Sequence, residues 1–260
     1  MINMKFVRYK DSNDNESIGI ISDDKLFKTD YHSIYEAYDD SCQNDLPLLY
    51  EEDTDNIKYL EPTSPSKVVC VGLNYKDHAE ELKMELPEEP LLFMKSSTST
   101  IAHMDEIIYP EISQQVDYEA ELAIVILEEI KYNEFNENAK VAYTILNDVT
   151  ARDLQQKDGQ WTRAKNFDTF CPMGPCLVTD IDSSNLDIKL EVNGTLRQNS
   201  NTSNMIFSPM ELVRFVSSIM TLERGDVIAT GTPPGVGQLQ KNDTVSITIE
   251  NIGTLENTIR

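Results

Sequence analysis

The sequence predicts an α+β fold that is mainly β, and three observations lead to it. Short alternating or wholly apolar runs recur along the chain, the pattern of half-buried and buried strands. Only one segment carries a full set of helix-start signals. Helical patterns do not alternate regularly with strands, which argues for sheets with a few packed helices rather than a parallel βαβ array.

Taken in order, Met4-Lys-Phe-Val-Arg-Tyr9 alternates weakly, and Ile18-Gly-Ile-Ile21 and Lys25-Leu-Phe27 flank a turn signal at Ser22-Asp-Asp24. These form a small strand-rich N-terminal unit. An acidic stretch over residues 36–61 follows and closes on Glu61-Pro-Thr-Ser-Pro65, where two prolines and small polar residues mark a linker. The chain is therefore expected to divide into an N-terminal β-rich domain, residues 1–62, and a larger domain, residues 66–260. Lys67-Val-Val-Cys-Val71 reads as a short buried strand ending at Gly72, and Asp117 to Leu127 as a longer one. Ser208-Pro-Met-Glu211 has an N-cap serine, proline at the first helical position and glutamate at the third. Leu212, Phe215, Val216 and Ile219 then space an apolar stripe for packing on a sheet. Near the C-terminus Thr244 to Glu250 alternates with period two, placing Val245, Ile247 and Ile249 inward and Thr244, Ser246 and Thr248 outward.

Charge is the outlier in composition. The 260 residues include 22 Lys plus Arg against 45 Asp plus Glu, a formal net charge of −23. A field of that sign repels phosphate backbones and anionic bilayers, so neither nucleic acid nor a membrane surface is expected as a partner. The longest strongly apolar stretch, Leu122 to Leu127, is far short of the ~20 residues of a spanning helix. The segment Met1 to Arg8 lacks the apolar core of a signal peptide, so a cytoplasmic protein is expected. Cys42, Cys70, Cys171 and Cys176 show neither paired C-x-x-C spacing nor scaffold density, and read as reduced, buried thiols.

Three constellations carry chemistry. In Asp117-Tyr-Glu-Ala-Glu121 the three acids fall on one face of a strand that becomes apolar on both faces after Glu121. Two carboxylates at ~4 Å there repel by roughly 4 kcal/mol at an effective dielectric near 20. A hard divalent cation such as Mg²⁺ or Mn²⁺ neutralises them best, and Ca²⁺ accepts the same oxygen ligands. A solvated acidic edge strand is the bland alternative. Asn147 to Gln155 follows the apolar segment Val141 to Leu146, so Asp148 supplies a third carboxylate and Arg152 a fixed cation for a substrate carboxylate. If a helix starts near Tyr75, His78 and Glu81 lie at i and i+3, and a carboxylate-backed imidazole is a general base. His32 and His103 read as structural. The glycine-rich Thr230 to Gly237 has no nucleotide-loop signature.

Together these segments resemble the fumarylacetoacetate hydrolase superfamily. The resemblance runs from about Lys67 to Ile259 and rests on VGLNYKDHAEEL, LLFMKSSTS, DYEAELAIVI, ILNDVTARDLQ, WTRAKNFDTFCPMGP, VNGTLRQ, TSNMIF and LERGDVIATGTPPGVG, in that order. It implies a mixed β-sandwich roll and a homodimer. By the same resemblance Glu119, Glu121 and Asp148 are metal ligands, His78 and Glu81 a water-activating dyad on a lid helix, and Lys165 the active-site lysine. Arg152, Gln155 and Thr232 look like substrate-binding positions, and Asp117 stands behind the ligands. Ser96 and Leu127 depart from the common pattern, and neither is a ligand position. The implied reaction is metal-dependent hydrolysis of the C–C bond of an acylpyruvate, a small keto acid, through a pyruvate enolate. Oxaloacetate decarboxylation, keto–enol tautomerisation and 2-hydroxyhepta-2,4-dienedioate isomerisation are the neighbouring reactions.

Overall fold

The computed structural model describes residues 4–23 and 25–260. Its main feature is a 12-stranded sheet with Ala120–Ile126 near the middle, between Val141–Asn147 and Val227–Ala229. All seven residues of that strand are buried, so it is covered on both faces. Alternation assigns each residue to a layer. Leu122, Ile124 and Ile126 join a core with Ile188, Leu190, Val245 and Ile247 from a separate five-stranded sheet, while Ala123, Val125 and Leu127 join a second core with Phe6, Ile34 and Ala37. The architecture is mainly β with packed helices, as the run pattern predicts.

The N-terminal strands Lys5–Lys10, Glu16–Ser22, Lys25–Lys28 and Tyr50–Glu51 add to the edge of the same large sheet, with Phe6 opposite Leu177. The helix Ile34–Ser41 lays Ile34 and Ala37 on that face. The turn expected between the second and third of these strands includes Asp24, which lies outside the described residues.

Two expectations need correction. Asp117 to Leu127 is not one strand: Val116–Tyr118 belongs to a three-stranded sheet with Thr150–Ala151 and Gly237–Gln238, and Ala120–Ile126 to the large sheet. The break falls at Glu119, whose backbone N–H donates to the Asn147 side chain at 3.0 Å. The helix after Ser208 forms with its full capping box over Pro209–Ser217 but stops before Ile219, which is exposed; Val213 is buried with Leu212 and Val216 instead. The strand Thr244–Ile249 buries Val245, Ile247 and Ile249 as predicted. The four cysteines are unpaired, and Cys42 is exposed where a buried thiol was expected. No helix among the described residues is long and apolar enough to cross a membrane.

Candidate active site

The break at Glu119 creates the site. Glu119 lies between the two strands, Glu121 opens the large-sheet strand, and Asp148 follows the end of Val141–Asn147, tied back by its backbone N–H to the Glu119 carbonyl at 2.9 Å. All three side chains are buried, and one ligand oxygen from each lies within 4.8 Å of the others.

Their electrostatic surroundings differ. Asp148 is held by a lysine on each oxygen, Lys95 Nζ at 2.6 Å and Lys165 Nζ at 2.7 Å. Lys165 also donates to Glu119 at 2.9 Å, and Arg152 pairs with the other Glu119 oxygen. Burial alone raises the Glu119 carboxyl, but Lys165 and Arg152 outweigh it and hold it down to about 2. Among the described residues Glu121 has no such partner: it accepts from the Gly231 N–H at 2.7 Å, while burial, Asp148 and Glu119 push its pKa well above the carboxylate range. Burial lowers the Lys165 ammonium, yet Asp148 and Glu119 win and raise it, so it stays charged.

Glu121 supplies the test of whether a divalent cation fits. It is a buried carboxylate without a cationic partner among the described residues, facing two further carboxylates. An all-oxygen donor set of this kind suits a hard cation, and Glu119, Glu121 and Asp148 would hold it.

Glycine is required where the Thr230 to Gly237 loop closes over this centre. Gly231 has φ +93°, and a Cβ there would stand 2.9 Å from the Asn74 Cβ; a Cβ on Gly235 would stand 2.2 Å from the Arg197 carbonyl oxygen. The loop brings Thr232 in, where its hydroxyl accepts from the fully buried Gln198 at 2.9 Å. Gln198 also accepts from the backbone N–H of Ala120, between two of the acids, at 3.0 Å.

His78 and Glu81 sit on the helix Lys76–Leu82, which starts after Tyr75 as expected, with His78 Nδ1 and Glu81 Oε2 2.9 Å apart. Asp77 bonds Ser200 at 2.6 Å and Asn204 at 3.2 Å, and Glu81 accepts from the Gly235 N–H at 3.2 Å, so the helix is fastened over the cleft from two sides. Arg152 reaches Gln155 at 2.7 Å and Asp117 at 2.8 Å. Asp117 therefore orients the arginine from behind.

A cleft of about 250 Å³ is lined by His78, Glu119, Glu121, Arg152, Gln155, Lys165 and Thr232. Asp148 and Glu81 do not line it but bond Lys165 and His78, which do. A larger cleft of about 800 Å³ shares Leu91, Phe93 and Trp161 as a common wall but contains none of the three carboxylates, so the chemistry belongs to the smaller one. Sequence reasoning gave Lys95 no role, although it is fully buried against Asp148. The available signal was its position two residues after Phe93, on the same strand face as a cleft-lining aromatic.

Fold and site define a mainly-β protein with a buried carboxylate centre at the base of a small cleft. The chain belongs to the fumarylacetoacetate hydrolase family: the model described as fumarylacetoacetate (FAA) hydrolase C-terminal matches residues 67–260. The structure of a fumarylacetoacetate hydrolase from Exiguobacterium antarcticum superposes with a TM-score of 0.88 at 36% identity, covering 99% of both chains. A 2-hydroxyhepta-2,4-diene-1,7-dioate isomerase from Mycobacterium marinum gives 0.85 at 37%, covering 98% of each. A mitochondrial oxaloacetate tautomerase of Rattus norvegicus is 43% identical over 228 residues, 82% of this chain and 72% of that protein.

Proposed function

We propose that this protein is a divalent-metal-dependent enzyme that hydrolyses the C–C bond of an acylpyruvate. The observation that carries the reading is the His78–Glu81 pair at 2.9 Å, lining the same cleft as Glu119, Glu121 and Lys165. With Glu81 on Nδ1, the other ring nitrogen of His78 is left to take a proton from water. That water adds to the distal carbonyl, the bond between this carbon and C3 breaks, and the products are a carboxylic acid and the enolate of pyruvate, which is protonated at C3. A divalent cation held by Glu119, Glu121 and Asp148 would supply Lewis-acid stabilisation of the enolate. Lys165, kept charged by Asp148 and Glu119, suits the electrostatic half of this task better than proton donation. Arg152, Gln155 and Thr232 orient the keto acid.

A second reading, tautomerisation or isomerisation of a keto acid such as oxaloacetate, is favoured by the likeness to the rat tautomerase and the M. marinum isomerase. It needs the proton transfers but no nucleophilic water; decarboxylation of oxaloacetate likewise needs no nucleophilic water, only protonation at C3 of the enolate left when CO₂ departs. Side-by-side assays of acetylpyruvate and oxaloacetate with Mg²⁺ and Mn²⁺ separate the three. The expected outcome is that His78→Ala abolishes acylpyruvate cleavage while oxaloacetate decarboxylation falls far less; equal losses would contradict a water-activating role. Full activity in EDTA would remove the metal from the scheme. Within this reading the enzyme is a cytoplasmic homodimer, which cell fractionation and light scattering check.

A further inference from the structure

Two chemically different sets of side chains line the cleft: Glu119 and Glu121 with Lys165, Arg152, Gln155 and Thr232, and an apolar set of Leu82, Met84, Leu91, Phe93 and Trp161. Phe93 joins them, since the Lys165 ammonium stands 5.0 Å from its ring centroid and the Trp161 ring packs edge-on at 4.9 Å. Trp161 is seated against Gly72, where an added Cβ would meet the indole at 3.2 Å. At the mouth, Leu82, Met84 and Leu91 remain 50%, 56% and 55% exposed although they line a cavity. Small-molecule sites take this form, with apolar walls for the body of the ligand and a few convergent polar groups for its head.

We infer that the site takes a 2-oxo acid whose end distal to the carboxylate is apolar, a hydrocarbon chain or ring lying against Leu82, Met84, Leu91, Phe93 and Trp161. This rests on reading the cleft as a keto-acid site. The carboxylate and keto groups meet the charged set, and the tail removes from water the three side chains that the protein leaves half exposed. Each methylene buried there strengthens binding about fourfold.

The test is direct binding of pyruvate, 2-oxobutanoate, 2-oxohexanoate and 2-oxooctanoate to the full chain with Mg²⁺, by calorimetry and by fluorescence of Trp161, the only tryptophan in the sequence. Affinity is expected to climb about fourfold per methylene, with the Trp161 emission responding to the longer acids and not to pyruvate. 2-Oxoadipate, with a charged end, is expected to bind more weakly than 2-oxohexanoate. Met84→Glu, at an exposed position, should flatten the chain-length dependence. Equal affinity along the series, tighter binding of 2-oxoadipate, or an unchanged slope in Met84→Glu would overturn the inference while leaving a keto-acid site in place. Failure of every 2-oxo acid to bind, pyruvate included, would remove the keto-acid reading and the tail site with it.

Discussion

In the N-terminal segment Asp14, Glu16 and Glu51 lie more than half exposed, in ion pairs with Lys10, Arg8 and Lys25. At the cleft floor Glu119, Glu121 and Asp148 are buried, and two of the three are gripped by Lys165, Lys95 and Arg152. Both regions are acidic, but the medium differs. An ion pair at ~4 Å counts for about 1 kcal/mol in water and about 4 kcal/mol at an effective dielectric of 20. The N-terminal pairs are exposed to solvent, where a pair contributes little, whereas each buried carboxylate sets the state of its neighbours. Charge count and chemical capability are thus separate properties of this chain.

The sharpest way to break that contrast is Asp148→Ala. It leaves two buried ammoniums facing a void, and removing one partner of a buried pair costs about 3–5 kcal/mol. Calorimetry is expected to show Tm lower by roughly 10 °C, with no turnover. A next, smaller effect separates the two glutamates. Glu119→Gln disrupts ion pairs with Lys165 and Arg152 and lowers Tm, while Glu121→Gln replaces an acid that burial already biases toward its neutral form, so the metal-free Tm holds or rises as activity is lost. Equal destabilisation by the two would mean that their surroundings are equivalent.

Acid titration distinguishes them again. The folded pKa of Glu119, about 2, lies below the ordinary 4.5, so its stabilising contribution is complete above pH 4.5 and is lost as the pH falls from there toward about 2. Glu119→Gln should flatten that part of the stability curve. The smallest effect is on the surface: Glu51→Gln, which breaks a pair with Lys25 exposed on both sides, is expected to move stability by less than about 1 kcal/mol and leave turnover unchanged.

The division of labour between sequence and fold can be read from particular residues. Period-two alternation placed Val245, Ile247 and Ile249 inward, and the Ser208 capping signals placed a helix start, because these depend on neighbours close in the chain. The helix end before Ile219 and the strand break at Glu119 were not legible, and each carries a contact distant in sequence: the Ser217 carbonyl accepts from the Asn133 N–H, and Asn147 captures the Glu119 N–H. The candidate site was legible as a set of residues through its motifs, but not the roles of Lys95 and Gln198, whose residue types are those of ordinary surface positions.

By itself the sequence determined the mainly-β class, the acidic field and which side chains were available for chemistry, since composition and local periodicity carry that information. Only the tertiary structure decided that Glu119 and Asp148 meet the lysines while Glu121 does not, and that an apolar wall faces them. Those relations join strands and loops far apart in the chain, and the low dielectric that makes them count exists only once the core has closed around them.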